Sequence, residues 1–157
     1  MKDLQLKPII FECQLDELTP DEQKLVNMAI EATQYSYAKY SRFHVGSAIQ
    51  LANGVTFMGC NQENAAFPAG ICAERSAIFA AGVQYPDVAV TTIAIAARDT
   101  SGQLTKEPVS PCGTCRQVMI ETETRFKHPL RIILYGQNRV WVMDGIKNLM
   151  PLSFTEF

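Results

Sequence analysis

The sequence predicts an α/β protein, a three-layer α/β/α sandwich around a mixed five-stranded sheet, carried by a single domain over residues 1–157. Three observations predict it. A chain of 157 residues, 47% hydrophobic and 19% charged, is long enough to bury a core without disulfide staples. Short β-branched runs alternate with helical segments along the chain, the pattern of parallel crossovers. One dipeptide that favours tight hairpins, Asn53-Gly54, separates two apolar runs and adds an antiparallel pair.

The elements follow in order. Thr19-Pro20-Asp21-Glu22 reads as an N-cap, a proline in the first turn and two acids at the positive end of the dipole. The helix it opens should run to about residue 37, with Leu25, Met28, Ala29 and Ala32 as its apolar stripe. Residues 45–51 and 55–60 are the two strands of the hairpin. Residues 72–84, rich in alanine and free of internal proline, form a second helix that begins at a cysteine motif. Residues 91–97 suit a strand buried on both faces. Residues 117–125 continue a third helix whose first turn contains Cys112 and Cys115. Strands at 131–135 and 140–143 and a helical turn over 144–150, closed by Pro151, complete the chain.

Composition narrows the function classes. The first residues lack the apolar core of a signal peptide, and the longest nearly apolar stretch, 88–97, is too short to span a bilayer, so a soluble cytoplasmic protein without membrane partners is expected. Net charge is -2, and Lys and Arg are scattered singly. Without a basic stripe a small ligand is favoured over nucleic acid.

Five cysteines, an odd number, point in a reducing compartment to metal binding or chemistry rather than disulfides. Two motifs hold three of them, Cys72-Ala73-Glu74-Arg75 and Pro111-Cys112-Gly113-Thr114-Cys115. A CxxC pair, a third thiol upstream and a nearby carboxylate fit a catalytic zinc site with three protein ligands and an open fourth position. Both motifs sit at helix N-termini, where the dipole favours thiolate. Three thiolates on Zn²⁺ leave a net negative charge, and Arg75 is placed to relieve it by donating to the sulfurs. Glu74, beside the metal but outside its ligand set, is the candidate base for water activated by zinc. Two other readings of the cysteines stand beside this one: a closed structural zinc site with Cys60 as fourth ligand, and a redox CxxC at a helix start. Cys13 and Cys60 otherwise read as small buried apolar residues, and His44 and His128 lack ligand spacing.

C-A-E with a downstream P-C-x-x-C resembles the zinc-dependent cytidine deaminases. Tyr40-Ser41-Arg42-Phe43-His44-Val45-Gly46-Ser47-Ala48 resembles that family's Y-S-x-F-x-V-G-A-A segment, and Gly59-Cys60-Asn61-Gln62-Glu63-Asn64-Ala65 its G-x-N-x-E-N-A segment. A cysteine at the first ligand position is similar to the small homotetrameric branch. The resemblance implies a cytidine deaminase-like fold over about 19–154, one Zn²⁺ per subunit and hydrolysis of cytidine and deoxycytidine to uridine and deoxyuridine plus ammonia. It implies that Glu74 protonates N3 and passes a proton to the leaving amine. Asn61 and Glu63 would hydrogen-bond the ribose, Phe43 would pack on the pyrimidine and the Ala73 backbone would contact the base. Leu149-Met150-Pro151-Leu152-Ser153-Phe154 resembles the family's tail, whose Phe closes a neighbouring pocket, which implies a homotetramer with shared active sites. A carboxylate at Glu63 would repel phosphate and favour nucleosides over nucleotides. Phe67 stands where the family has Tyr, and Lys39 where Pro is common. A deaminase of another aminated nucleoside and a zinc-binding module without turnover are the alternative functions.

Overall fold

Thr19 opens α1 (Pro20–Ala32) as its residue type directs: Oγ1 accepts the Glu22 N–H, and the Glu22 carboxylate accepts the Thr19 N–H. This computed structural model describes residues 1–155; positions 156–157 of the expected domain lie outside the described residues. The helix ends short of residue 37 and passes into a 3₁₀ turn, Thr33–Tyr35. Thr33 accounts for the difference. Its hydroxyl donates to the Ile30 carbonyl at 2.6 Å and accepts from Arg98 Nε at 2.8 Å, so the buried side chain serves a distant strand.

The sheet has six strands among the described residues, where five are expected. They are β1 (Phe11–Cys13), β2 (His44–Leu51), β3 (Thr56–Cys60), β4 (Val90–Arg98), β5 (Arg131–Tyr135) and β6 (Val140–Asp144), in the order β1-β6-β5-β4-β2-β3. Only β4 and β5 pair in parallel. The additional strand, β1, has three residues and no long alternating pattern of its own. It is fixed from outside: Glu12 accepts from Arg139 Nη1 at 3.1 Å and Trp141 Nε1 at 3.2 Å, and the Ile9 N–H donates to Asn148 Oδ1.

The three layers follow from alternation along the strands. Ala48, Ala94 and Ala96 present small side chains to one face, where α1 packs through Leu25, Val26 and Ala29. Ile49, Ile93, Ile95, Ile132 and Leu134 present large ones to the other, beneath α2 (Ala73–Gln84) and α3 (Gly113–Phe126). β4 is thus apolar on both sides, as its composition predicts. Burial of such side chains stabilises by about 1.5–3 kcal/mol each.

Two glycines one ladder rung apart bring the layers into closest contact. A Cβ at Gly46 would lie 2.0 Å from the Ala29 carbonyl of α1, and one at Gly59 would lie 2.4 Å from the Ala73 carbonyl of α2. Gly46 pairs with Cys60, and Ser47 with Gly59, so both helices press on the same point of the sheet from opposite faces. The hairpin between β2 and β3 turns through the Gly54 N–H to the Leu51 carbonyl, and Asn53 Oδ1 accepts the Val55 N–H. The turn expected over 144–150 is a 3₁₀ turn at Ile146–Asn148. Cys13 and Cys60 are half-buried rather than buried, because both strands that carry them are sheet edges. No helix is long and apolar enough to cross a membrane among the described residues.

Candidate metal centre

Cysteine is an unusual choice for a helix N-cap, yet Cys72 caps α2 and Cys112 caps α3, neither with a side-chain capping bond to a backbone N–H of its helix. Both thiols turn instead toward each other. Cys72 Sγ and Cys112 Sγ stand 3.7 Å apart, and Cys115 Sγ, in the first turn of α3, joins them with all three sulfurs within 4.8 Å. Tetrahedral zinc with Zn–S bonds of about 2.3 Å sets its sulfurs about 3.8 Å apart, so the trio fits one zinc ion. Cys60 is not in the cluster. The packing is graded: Cys115 is buried, Cys72 half-buried and Cys112 exposed.

Charge around the sulfurs supports the same fit. A hydrogen bond from the Cys115 thiol, against the opposing effect of burial and with help from Arg75, pulls Cys72 down to about 5. Cys115 is pushed up by its bond to Cys72, by burial and by the Glu74 charge. Crowding of the sulfurs thus opposes ionisation of more than one of them, and a divalent cation would supply the positive charge that favours thiolate at all three. Arg75 Nη2 donates to Cys72 Sγ at 3.8 Å, from the first turn of α2.

Glu74 lies two residues past Cys72 and is only 4% exposed. Burial raises its carboxyl above the usual carboxylate range, and the Cys72 charge adds to that, with the Cys115 thiol and Arg75 opposing. A carboxyl of this kind exchanges protons nearer neutrality than a solvated one.

A cleft of about 480 Å³ opens beside the sulfurs and includes Tyr40, Asn61, Glu63, Phe67, Cys72 and Arg75 in its walls. Asn61 is engaged structurally: Oδ1 accepts the Val45 N–H at 2.8 Å and Nδ2 donates to the Phe43 carbonyl at 3.0 Å. Glu63 accepts the backbone N–H groups of Tyr40 at 2.7 Å and Ser41 at 3.2 Å. The Ser41 side chain, against desolvation and with help from these two N–H groups, holds its carboxyl below the usual range. Of the other site residues read from the sequence, Ala73 is fully buried, Phe43 half-buried and Phe154 63% exposed, and none of the three lines the cleft. Phe67 meets Tyr40 edge-on at 5.9 Å and forms part of the wall, a role its place in the motif hinted at. Arg116 is the residue the sequence reading missed: Nε donates to Pro111 O at 2.8 Å and Nη1 to Leu149 O at 2.7 Å. Its signal was a cation near a helix N-terminus, where the dipole disfavours one.

Comparison with known proteins agrees with this geometry. The family model described as the cytidine and deoxycytidylate deaminase zinc-binding region matches residues 19–127. The chain is 44% identical over 101 residues to a cytidine deaminase of Halalkalibacterium halodurans, covering 64% of this chain and 71% of that protein. It is 33% identical over 114 residues to one of Mycobacterium tuberculosis, covering 71% and 80%. The crystal structure of a cytidine deaminase from Burkholderia pseudomallei superposes with a TM-score of 0.72 at 36% identity, covering 83% of this chain and 97% of that one. Matched by the family model over more than half of its length and by relatives that share its fold, the chain belongs to the cytidine and deoxycytidylate deaminase zinc-binding family.

Proposed function

We propose that this protein is a hydrolytic deaminase that converts cytidine and deoxycytidine to uridine and deoxyuridine with release of ammonia. The observation that carries the reading is the buried Glu74 carboxyl two residues from Cys72, the member of a three-thiol cluster that lines a cleft. When bound by Cys72, Cys112 and Cys115, zinc acts as a Lewis acid that makes water nucleophilic at neutral pH. Glu74 takes the proton of the attacking water and delivers it to N3 of the base as oxygen adds at C4. It then takes the second proton, from the new C4 hydroxyl, and hands it to the 4-amino group, so that the C4 carbonyl forms as the C4–N bond breaks and ammonia leaves. Arg75 neutralises the excess charge of the three thiolates.

For substrate binding, Glu63 is the acceptor of ribose hydroxyl protons, held ready by the Tyr40 and Ser41 N–H groups. Asn61 keeps one amide hydrogen and one lone pair beyond those it spends on Phe43 and Val45, and presents them to the same sugar. Phe43 packs on the ring and the Ala73 backbone reads the base. Phe154 closes the cleft of a neighbouring subunit in a homotetramer. A groove of about 420 Å³ between the C-terminal halves of α2 and α3 supports assembly, with Phe79 49% and Val83 83% exposed along it.

The test follows ultraviolet loss of cytidine, deoxycytidine and their 5′-monophosphates. Both nucleosides should turn over with one zinc per chain, and the monophosphates poorly. A preference for monophosphates would overturn the role given to Glu63, and full zinc with no turnover of any would overturn the enzyme.

A further inference from the structure

Among the three thiols, Cys112 is the one the fold leaves exposed, while Cys115 is buried and Cys72 receives the Arg75 bond. Its position therefore depends on its backbone. Arg116 holds that backbone twice: its N–H donates to the Cys112 carbonyl at 2.9 Å, and Nε of its side chain to the Pro111 carbonyl at 2.8 Å. These two carbonyls flank the Cys112 Cα, so one residue constrains both torsions of the most exposed ligand.

The same guanidinium continues outward. Nη1 donates to the Leu149 carbonyl at 2.7 Å, and from the next residue Gln117 Nε2 donates to the Phe154 carbonyl at 2.8 Å. Leu149 and Met150 pack against the core cluster that contains Cys115. A ligand, a clamp and a second clamp thus occupy consecutive positions 115, 116 and 117.

We propose that Arg116 is a positioning residue that couples retention of the metal at Cys112 to docking of the C-terminal segment 149–154. The inference rests on reading the three thiols as a zinc site. With the metal bound, segment 111–115 is fixed and presents Arg116 to Leu149. With the metal stripped, Cys112 loses its anchor and the guanidinium loses its fixed aim. Linkage is reciprocal, so a docked tail tightens metal binding by the factor by which metal strengthens docking, and slower metal loss is its expected readout.

The experiment uses the full zinc-loaded chain as wild type, Arg116→Gln, Arg116→Lys and Gln117→Ala. Two quantities are read: zinc release to the chelating dye 4-(2-pyridylazo)resorcinol, and hydrogen exchange of the 149–154 amides, with the β4 amides as an internal reference for folding. Arg116→Gln should release zinc about ten-fold faster, with tail amides exchanging as in stripped wild type. Arg116→Lys, with a more compact donor head, should fall between. Gln117→Ala, which loses the Phe154 contact but keeps the Arg116 bonds, should speed tail exchange and, through the same linkage, raise zinc release by less than Arg116→Gln does. If Arg116→Gln also loses β4 protection, stripping the wild type decides: tail exchange must rise while β4 stays protected. Unchanged zinc release in a folded Arg116→Gln, or tail exchange indifferent to zinc, would overturn the coupling alone. A wild type that binds no zinc would overturn the metal reading and the coupling with it.

Discussion

The two walls of the cleft are built on different principles. On the metal side, Cys72 and Arg75 line the cleft from the start of α2, whose first turn, seated against a buried sheet, touches strand backbone at Gly59. On the facing side, Tyr40 and Ser41 lie in a turn and Phe67 opens a short 3₁₀ turn, and two side chains, Asn61 and Glu63, hold that wall by reaching backbone groups about twenty positions away. Reacting groups tolerate little displacement, which suits rigid elements, whereas a wall that selects among ligands is more easily varied on loops. Chemistry and selection therefore answer to different structural supports, and substitutions should separate them.

The largest separation is expected from Glu74→Gln, which removes the proposed proton carrier and leaves both walls standing. Its turnover should fall by about 10²–10⁴-fold with zinc content and melting temperature close to wild type, checked by steady-state kinetics beside metal analysis. Retained turnover would mean that protons move by another route. Next comes Asn61→Ala. It leaves the Val45 N–H and the Phe43 carbonyl without their partner and should cost about 2–3 kcal/mol in denaturant unfolding, with one zinc per chain retained. Loss of zinc in this variant would show that the walls are not independent.

The smallest effect should come from Glu22→Gln, remote from both walls. Burial raises the Glu22 carboxyl, but the Thr19 backbone and side chain and Arg131, at 2.9 Å, outweigh it and hold it below the usual range. A depressed folded value contributes stability that is present above the unfolded glutamate value of about 4.3 and lost as pH falls through the folded one. Wild type should therefore be more stable than Glu22→Gln at neutral pH, with the gap closing under acid. A gap that widened on acidification would contradict the assignment.

Five strands and three helices were legible because their signals are local: the Thr19-Pro20 cap, Asn53-Gly54, and the continuous β-branched and apolar run of β4. β1 was not, since the groups that define it, Arg139, Trp141 and Asn148, lie more than 120 residues away. The end of α1 was missed for a similar reason, because Arg98 determines what Thr33 does. At the site, the thiols and Glu74 were legible from spacing and charge chemistry. The bonds of Asn61, Glu63 and Arg116 to backbone carbonyls and N–H groups were not, because no residue type announces which peptide group it will meet.

Gly46 and Gly59 also bear on how this chain can change over generations. At each, one methyl group would collide with helix backbone, at Ala29 from one side and Ala73 from the other. Drift at either position is closed unless a helix rises from the sheet, and on the Ala73 side the residue that moves is flanked by Cys72 and Glu74. The lineage can therefore revise Phe67 or Lys39 in single steps, but the height of its reactive helix is inherited as a missing side chain, and no single substitution adjusts it.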